Sequence, residues 1–184
     1  WLNVYLTALL SDNVFVPIDK ELPFADIINV LNQSDSTVLF YDKRYEKDIK
    51  ENLDKLSNIK YFIGLDRTED EEKFLAFNDF IEKGRKLLAG GKDDFTKLEN
   101  DTKALKMIVY TSGTTGMAKG VMLSEHNLMS CVYWGLRRAT IFNKCLSVLP
   151  YNHTYEAVAG ILVGICHNAT ICINESLKAV LKNL

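Results

Sequence analysis

The stretch Tyr110–Asn127, YTSGTTGMAKGVMLSEHN, decides how the chain is read. An apolar, β-branched run, KMIVY (106–110), leads into Thr111, Ser112, Gly113, Thr114, Thr115 and Gly116, and Lys119 stands three positions beyond. Such a turn displays hydroxyls and backbone amides at the carboxyl end of a strand, where ligands of open α/β sheets bind. Gly113 and Gly116 permit positive φ and close approach of a ligand, and successive N–H groups in a turn of this kind form an anion-binding concavity. Lys119 adds a full charge on a flexible stem. That chemistry suits a polyphosphate. The pattern is not a Walker loop, in which four residues separate the glycines and Lys-Ser/Thr follows directly. GVML (120–123) predicts a second strand, and Ser124 is placed to cap a helix over EHNLMSCVYWGLRRA (125–139). The plainer alternative is a polar hairpin turn that only joins two strands, although two residues with far less Ser and Thr would serve for that.

The remaining composition sets bounds. A chain of 184 residues fits one domain and buries about two-thirds of its unfolded surface. With 47% hydrophobic and 25% charged residues it is globular, and a net charge of -2 gives no electrostatic reason to bind nucleic acid or anionic lipid. Cys131, Cys145, Cys166 and Cys172 form no C-x-x-C pair, so they are expected as small buried residues in a reducing cytoplasm rather than as a zinc or redox site. The most apolar segment, AVAGILVGICHNATICI (157–173), is interrupted by His167 and Asn168 and is too short without them to cross a bilayer. WLNVYLTALL reads as a helix already in progress at Trp1, and SLKAVLKNL (176–184) has no capping signal after it, so the chain reads as a piece of a longer protein.

Short β-branched and aromatic runs alternate with helical patterns, which predicts an α/β fold of layered, mostly parallel or mixed sheets flanked by helices. Strands are expected at VFVPI (14–18), TVLFY (37–41), KYFIGL (60–65), KMIVYT (106–111), GVML, CLSVLP (145–150) and TICIN (170–174). Three apolar stripes at helical spacing are read as core. The first is Phe24, Ile27, Ile28 and Leu31 behind Pro23, and the second Tyr45, Ile49, Leu53 and Leu56. The third is Phe74, Phe77, Phe80, Ile81, Leu87 and Leu88, broken by Gly84. The aperiodic AGGKDDFTKLENDTK (89–103) reads as a connection between a helix/strand half (1–88) and the half that carries the loop (104–184). The apolar strands after Thr140 are expected to be central and covered on both faces, and Trp1 and Trp134 to be core.

The Tyr110–Asn127 stretch resembles the phosphate-loop signature of the adenylate-forming superfamily: acyl-CoA and aryl-CoA synthetases, luciferases and the adenylation domains of peptide synthetases. Ala118 stands where Pro is usual, and Glu125 where His usually follows the Ser or Thr, with His126 one place late. LPYNHTYEAVAG (149–160) resembles the family segment in which a His leads into a helix that walls the acyl pocket. Its His153-x-x-Glu156 form is more like long-chain fatty acyl-CoA ligases than peptide-synthetase domains. LLSDNVFVPIDKELPFADIINVLNQSDSTVLFY (9–41) resembles the stretch before the loop. The resemblance covers nearly the whole chain, while the chain covers under half of such an enzyme and makes up part of its large N-terminal domain.

The resemblance implies joining of a carboxylic acid to ATP, giving an acyl-adenylate and pyrophosphate, then transfer of the acyl group to coenzyme A. It assigns Ser112, Gly113, Thr114, Thr115, Gly116 and Lys119 to the β- and γ-phosphates, Thr111 to Mg²⁺, and His153 to the neighbourhood of the reacting carboxyl. Read from the residues alone, His153 is equally a hydrogen-bonded structural residue. Tyr155 reads as packing, Glu156 as favouring a helix N-terminus, His126 as solvated and His167 as part of a turn. The family's later segments, including its small C-terminal domain with a catalytic Lys, have no counterpart before Leu184, so the piece alone is expected to be inactive. An adenylation domain that loads a carrier protein, and a non-catalytic nucleotide-binding module, are the competing readings. A homodimer is left open.

Overall fold

The structure, a computed structural model, describes residues 1–99, 101–111, 118–140 and 142–183. It is an α/β chain in two compact units, Lys20–Glu99 and Trp1–Asp19 with Asn100–Leu184.

In the Lys20–Glu99 unit, helix α2 (Phe24–Gln33) follows Pro23, whose fixed φ suits a helix entry, and buries Ile27, Ile28, Val30 and Leu31. Strands β1 (Val38–Tyr41), β2 (Tyr61–Gly64) and β3 (Phe74–Ala76) form a parallel sheet in that order, with α3 (Glu46–Glu51) inside the first crossover. The second stripe is not one helix. It divides into two 3₁₀ turns flanking α3, burying Ile49 and Leu56 while Leu53 stays exposed.

The third stripe departs from expectation. Phe74 belongs to β3, and helix α4 (Phe77–Ala89) buries no residue. Phe77 and Phe80 set their edges against Phe40 of β1, at 6.3 and 6.2 Å between ring centroids, and Ile81, Leu87 and Leu88 lie exposed. Length explains this: α4 has 13 residues and runs about 20 Å, whereas four-residue strands run about 13 Å. The sheet covers only the start of the helix.

In the other unit, α1 (Leu2–Leu9) packs on β4 (Leu105–Thr111), which pairs antiparallel with β5 (Lys119–Ser124). Helix α5 (Glu125–Arg138) follows without a loop, and β6 (Lys144–Ser147) pairs parallel with β7 (Thr170–Ile173). The crossover between these two strands is a π-helix, Glu156–Leu162, continued by α6 (Val163–Cys166). The core gathers Tyr5, Phe15, Met107, Leu128, Val132 and Ile161. VFVPI forms no strand. Phe15 alone bridges to Met107, donating to the Lys106 carbonyl and accepting from Ile108 N–H, and Pro17 offers no amide to extend the ladder. The Lys106 ammonium donates to the Ser11 carbonyl at 2.7 Å and fastens the same segment to β4.

Strands β6 and β7 are not covered on both faces. Ile171 packs toward Gly164 of α6, whereas Cys172, on the opposite face, is exposed. Among the described residues the sheet has two strands, and neither is interior. Three cysteines, Cys131, Cys166 and Cys172, are exposed rather than buried. Trp134 is 54% exposed on the outer side of α5 with the Arg138 guanidinium over its ring, and Trp1, though partly exposed, stacks on Tyr151.

Tyr5 is fully buried, and its hydroxyl donates to the Ala157 carbonyl at 3.3 Å. Burial pushes its phenol well above the ordinary value of 10.0. A group whose folded-state pKa is raised contributes stability that is complete below the unfolded pKa and is lost as pH rises beyond it. Tyr5→Phe is therefore expected to cost about 1 kcal/mol near neutral pH and to flatten the loss of stability above about pH 10. Denaturation midpoints measured from pH 7 to 11 check both effects.

Candidate functional site

The alternating apolar residues of β4 place Met107, Val109 and Thr111 on one face, and the register sets Leu123, Val121 and Lys119 opposite them. Met107 is in the core with Val109 and Leu123 packed against it, so Thr111 and Lys119 continue that face beyond the core's rim. They form the last pair of the ladder, and both are exposed. Among the described residues the Lys119 ammonium has no ion-pair partner. Ser112, Gly113, Thr114, Thr115 and Gly116, read above as the phosphate cradle, lie outside the described residues.

The hairpin that carries this pair is firmly based. Tyr110 lies over Gly120, where an added Cβ would come within 2.9 Å of Ile108 Cγ2 and 3.2 Å of the Tyr110 ring. A glycine opposite an aromatic on a neighbouring strand lets the ring cover the backbone. At the other end Ser124 caps α5 as expected: its hydroxyl accepts from Asn127 N–H, and the Asn127 side chain returns the bond to the Ser124 amide at 2.9 Å. The Glu125 and His126 amides donate to the Ala104 and Thr102 carbonyls.

A second group of side chains surrounds the turn after β6. His153 is exposed; its amide donates to the Pro150 carbonyl, and its own carbonyl accepts from Ala157, each at 3.1 Å. Tyr155 does not pack but is 70% exposed. Glu156 is 4% exposed and hydrogen-bonded to Ser147, which is equally buried and lies 3.0 Å from the Tyr151 hydroxyl. The Cys145 thiol is pushed up by burial, with Cys172 and Glu156 adding to the shift, so it is a poor nucleophile. His126 is exposed beside Ser130, and His167 sits in the turn before β7. The burial of Glu156 is the feature that sequence reading missed. The only local signal was a small residue, Gly160, four positions on.

Thr111 supplies one neutral oxygen, and among the described residues no cluster of His, Cys, Asp or Glu could hold a metal ion. This donor set fits Mg²⁺ only as an ion that arrives with phosphate oxygens and keeps waters of its own.

The site is set on an α/β fold by a β-hairpin whose last pair, Thr111 and Lys119, flanks the Ser112–Met117 stretch. The chain is a member of the AMP-binding enzyme family, which residues 1–183 match, and so of the adenylate-forming superfamily. It is 27% identical over 173 residues to a CoA ligase of Gibberella moniliformis, a match that covers 90% of this chain and 26% of that protein. It is 38% identical over 84 residues to fatty acyl-CoA synthetase B of Dictyostelium discoideum, covering 45% of this chain and 12% of that one. A red-emitting luciferase from Phrixothrix hirtus shares the fold with a TM-score of 0.75 at 18% identity, over 95% of this chain and 34% of the luciferase. The chain thus spans about a quarter of the first relative's length.

Proposed function

We propose that this chain is the phosphate-gripping part of an AMP-forming acyl-CoA ligase acting on a fatty acid in the cytoplasm. The observation that carries the reading is the pairing of Thr111 with Lys119, which flank the Ser112–Gly116 sequence. In the first half-reaction a carboxylate oxygen attacks the α-phosphorus, the bond to the β-phosphate oxygen breaks, and pyrophosphate leaves with the electron pair. Both reactants are anionic, so the catalyst must neutralise and align them. Lys119 and the loop amides hold the β- and γ-phosphates, and the Thr111 hydroxyl helps to hold Mg²⁺, which neutralises phosphate charge when bound. In the second half-reaction the thiol sulfur of coenzyme A attacks the acyl carbonyl carbon, AMP departs, and the thiol proton passes to solvent.

The relatives' names, CoA ligase and fatty acyl-CoA synthetase, support this acid and acceptor, as does the His153-x-x-Glu156 segment. The test uses the full-length polypeptide. Fatty acids should drive exchange of labelled pyrophosphate into ATP, and coenzyme A rather than a loaded carrier protein should release free AMP. Acid-dependent exchange with transfer only to the carrier would replace this reading with that of a carrier-loading adenylation domain. No helix among the described residues is long and apolar enough to cross a membrane.

A further inference from the structure

Among the described residues three polar or charged residues are buried: Lys106, Ser147 and Glu156. Lys106 is satisfied by the Ser11 carbonyl, and the other two bond to each other. Glu156 has no cation within ion-pairing distance among the described residues. A carboxylate removed from water without a counter-charge opposes folding, and an apolar side chain of similar volume would serve stability better. An acidic residue in the first turn of a helix gains about 1 kcal/mol or less, which does not account for burying the carboxyl.

The surroundings of Glu156 suggest a reason. The Ser147 hydroxyl is hydrogen-bonded both to the Glu156 carboxyl and to the Tyr151 hydroxyl. Both ends of the segment 151–156 are thus tied to one serine of β6, and His153 lies between them. Trp1 stacks on the Tyr151 ring at 5.1 Å and steadies the first anchor. The second anchor opens the π-helix, a widened turn of the kind found at functional sites. Its carboxylate lies over Gly160, where a Cβ would stand 2.5 Å from Oε1.

We propose that Glu156 is a positioning residue: through Ser147 and Tyr151 its buried carboxylate holds the His153 turn in the place where the acid's carboxyl must be met. The inference rests on the function proposed above. It concerns the acid alone, because the ATP-binding hairpin contains none of these residues.

The experiment compares Glu156→Gln, Glu156→Met and Gly160→Ala in the full-length polypeptide by thermal melting and by acid-dependent pyrophosphate exchange. The Met variant should melt no lower than the parent, yet its exchange should fall about a hundredfold, the scale of a 1 Å misplacement of reacting groups. The loss should appear in kcat and in KM for the acid, with KM for Mg·ATP unmoved. Gln, whose carbonyl still accepts from Ser147, should recover most of the activity. Gly160→Ala should behave as Met does, because its methyl displaces the carboxylate. A Met variant that exchanges at the parent's rate overturns the inference, and so does activity that merely follows melting temperature across the three variants. If the parent itself shows no acid-dependent exchange, the functional reading falls and this one with it.

Discussion

Lys119→Ala in the full-length polypeptide should lower acid-dependent pyrophosphate exchange by about a hundred- to a thousandfold, the loss that follows removal of one oriented donor from a developing anion. The lysine begins β5 in register with Thr111 and is exposed, so alanine removes no buried contact. Residue preferences in strands span about 1 kcal/mol, too little to unfold the hairpin. The loss is therefore chemical. In the proposed reaction negative charge grows on the β-phosphate as pyrophosphate leaves, and the Lys119 ammonium would meet it more strongly than it meets bound ATP. The effect should accordingly fall mainly on kcat, with a smaller rise in KM for Mg·ATP. Lys119→Arg should restore only part of the rate, since a planar fork replaces a compact charge on a flexible stem. Exchange at the wild-type rate in the alanine variant would show that Lys119 does not grip phosphate.

What the sequence disclosed follows from how local each feature is. Helix α2 was legible because the stripe Ile27, Ile28, Leu31 lies within one helix directly behind Pro23. The hairpin strands and the Ser124 cap were legible for the same reason: the β-branched run, the turn residues and the cap adjoin in the chain. Features that depend on distant partners were not. The first nineteen residues cluster with the C-terminal half, through the Phe15 bridge to Met107 and the Lys106 bond to Ser11, and nothing in VFVPI announces those partners. The stripe of α4 has a core-like period but meets a sheet too short to cover it. In the candidate site both strands were legible, but GVML was expected to begin at Gly120, and the pairing of Lys119 with Thr111 came only with the structure. The burial of Glu156 could not be anticipated, since it requires Ser147 from another element and the space above Gly160.

The second large effect separates burial from periodicity within one unit. Phe62 is 1% exposed on the central strand β2, in register with Leu39 on one side and Phe74 on the other, and its ring stacks on Phe74 with centroids 4.9 Å apart. Phe62→Ala removes the ring and leaves a cavity beneath strands that cannot collapse without breaking the ladder, at a cost of about 3–5 kcal/mol. That is a large part of the 5–15 kcal/mol or so typical of a whole domain. The damage should spread. Phe74 supports the Arg67 guanidinium at 5.6 Å, and Arg67 in turn bonds Glu46 at 2.5 Å and Glu71 at 3.3 Å. Burial pulls the Glu46 carboxyl up, but bonds and charge from Lys50 and Arg67 outweigh it and leave the group below its usual range. Loosening the ring should let Glu46 titrate nearer its ordinary value. Phe80→Ala is the control: Phe80 shares the helical stripe but is 40% exposed, and its loss should cost about 1 kcal/mol or less. Amide hydrogen exchange over Val38–Tyr41 and Tyr61–Gly64 reads the difference directly. Protection should collapse in the Phe62 variant and survive in the Phe80 variant. Equal losses in the two would mean that α4 is buried in the native protein and that periodicity, not strand length, governs where it packs.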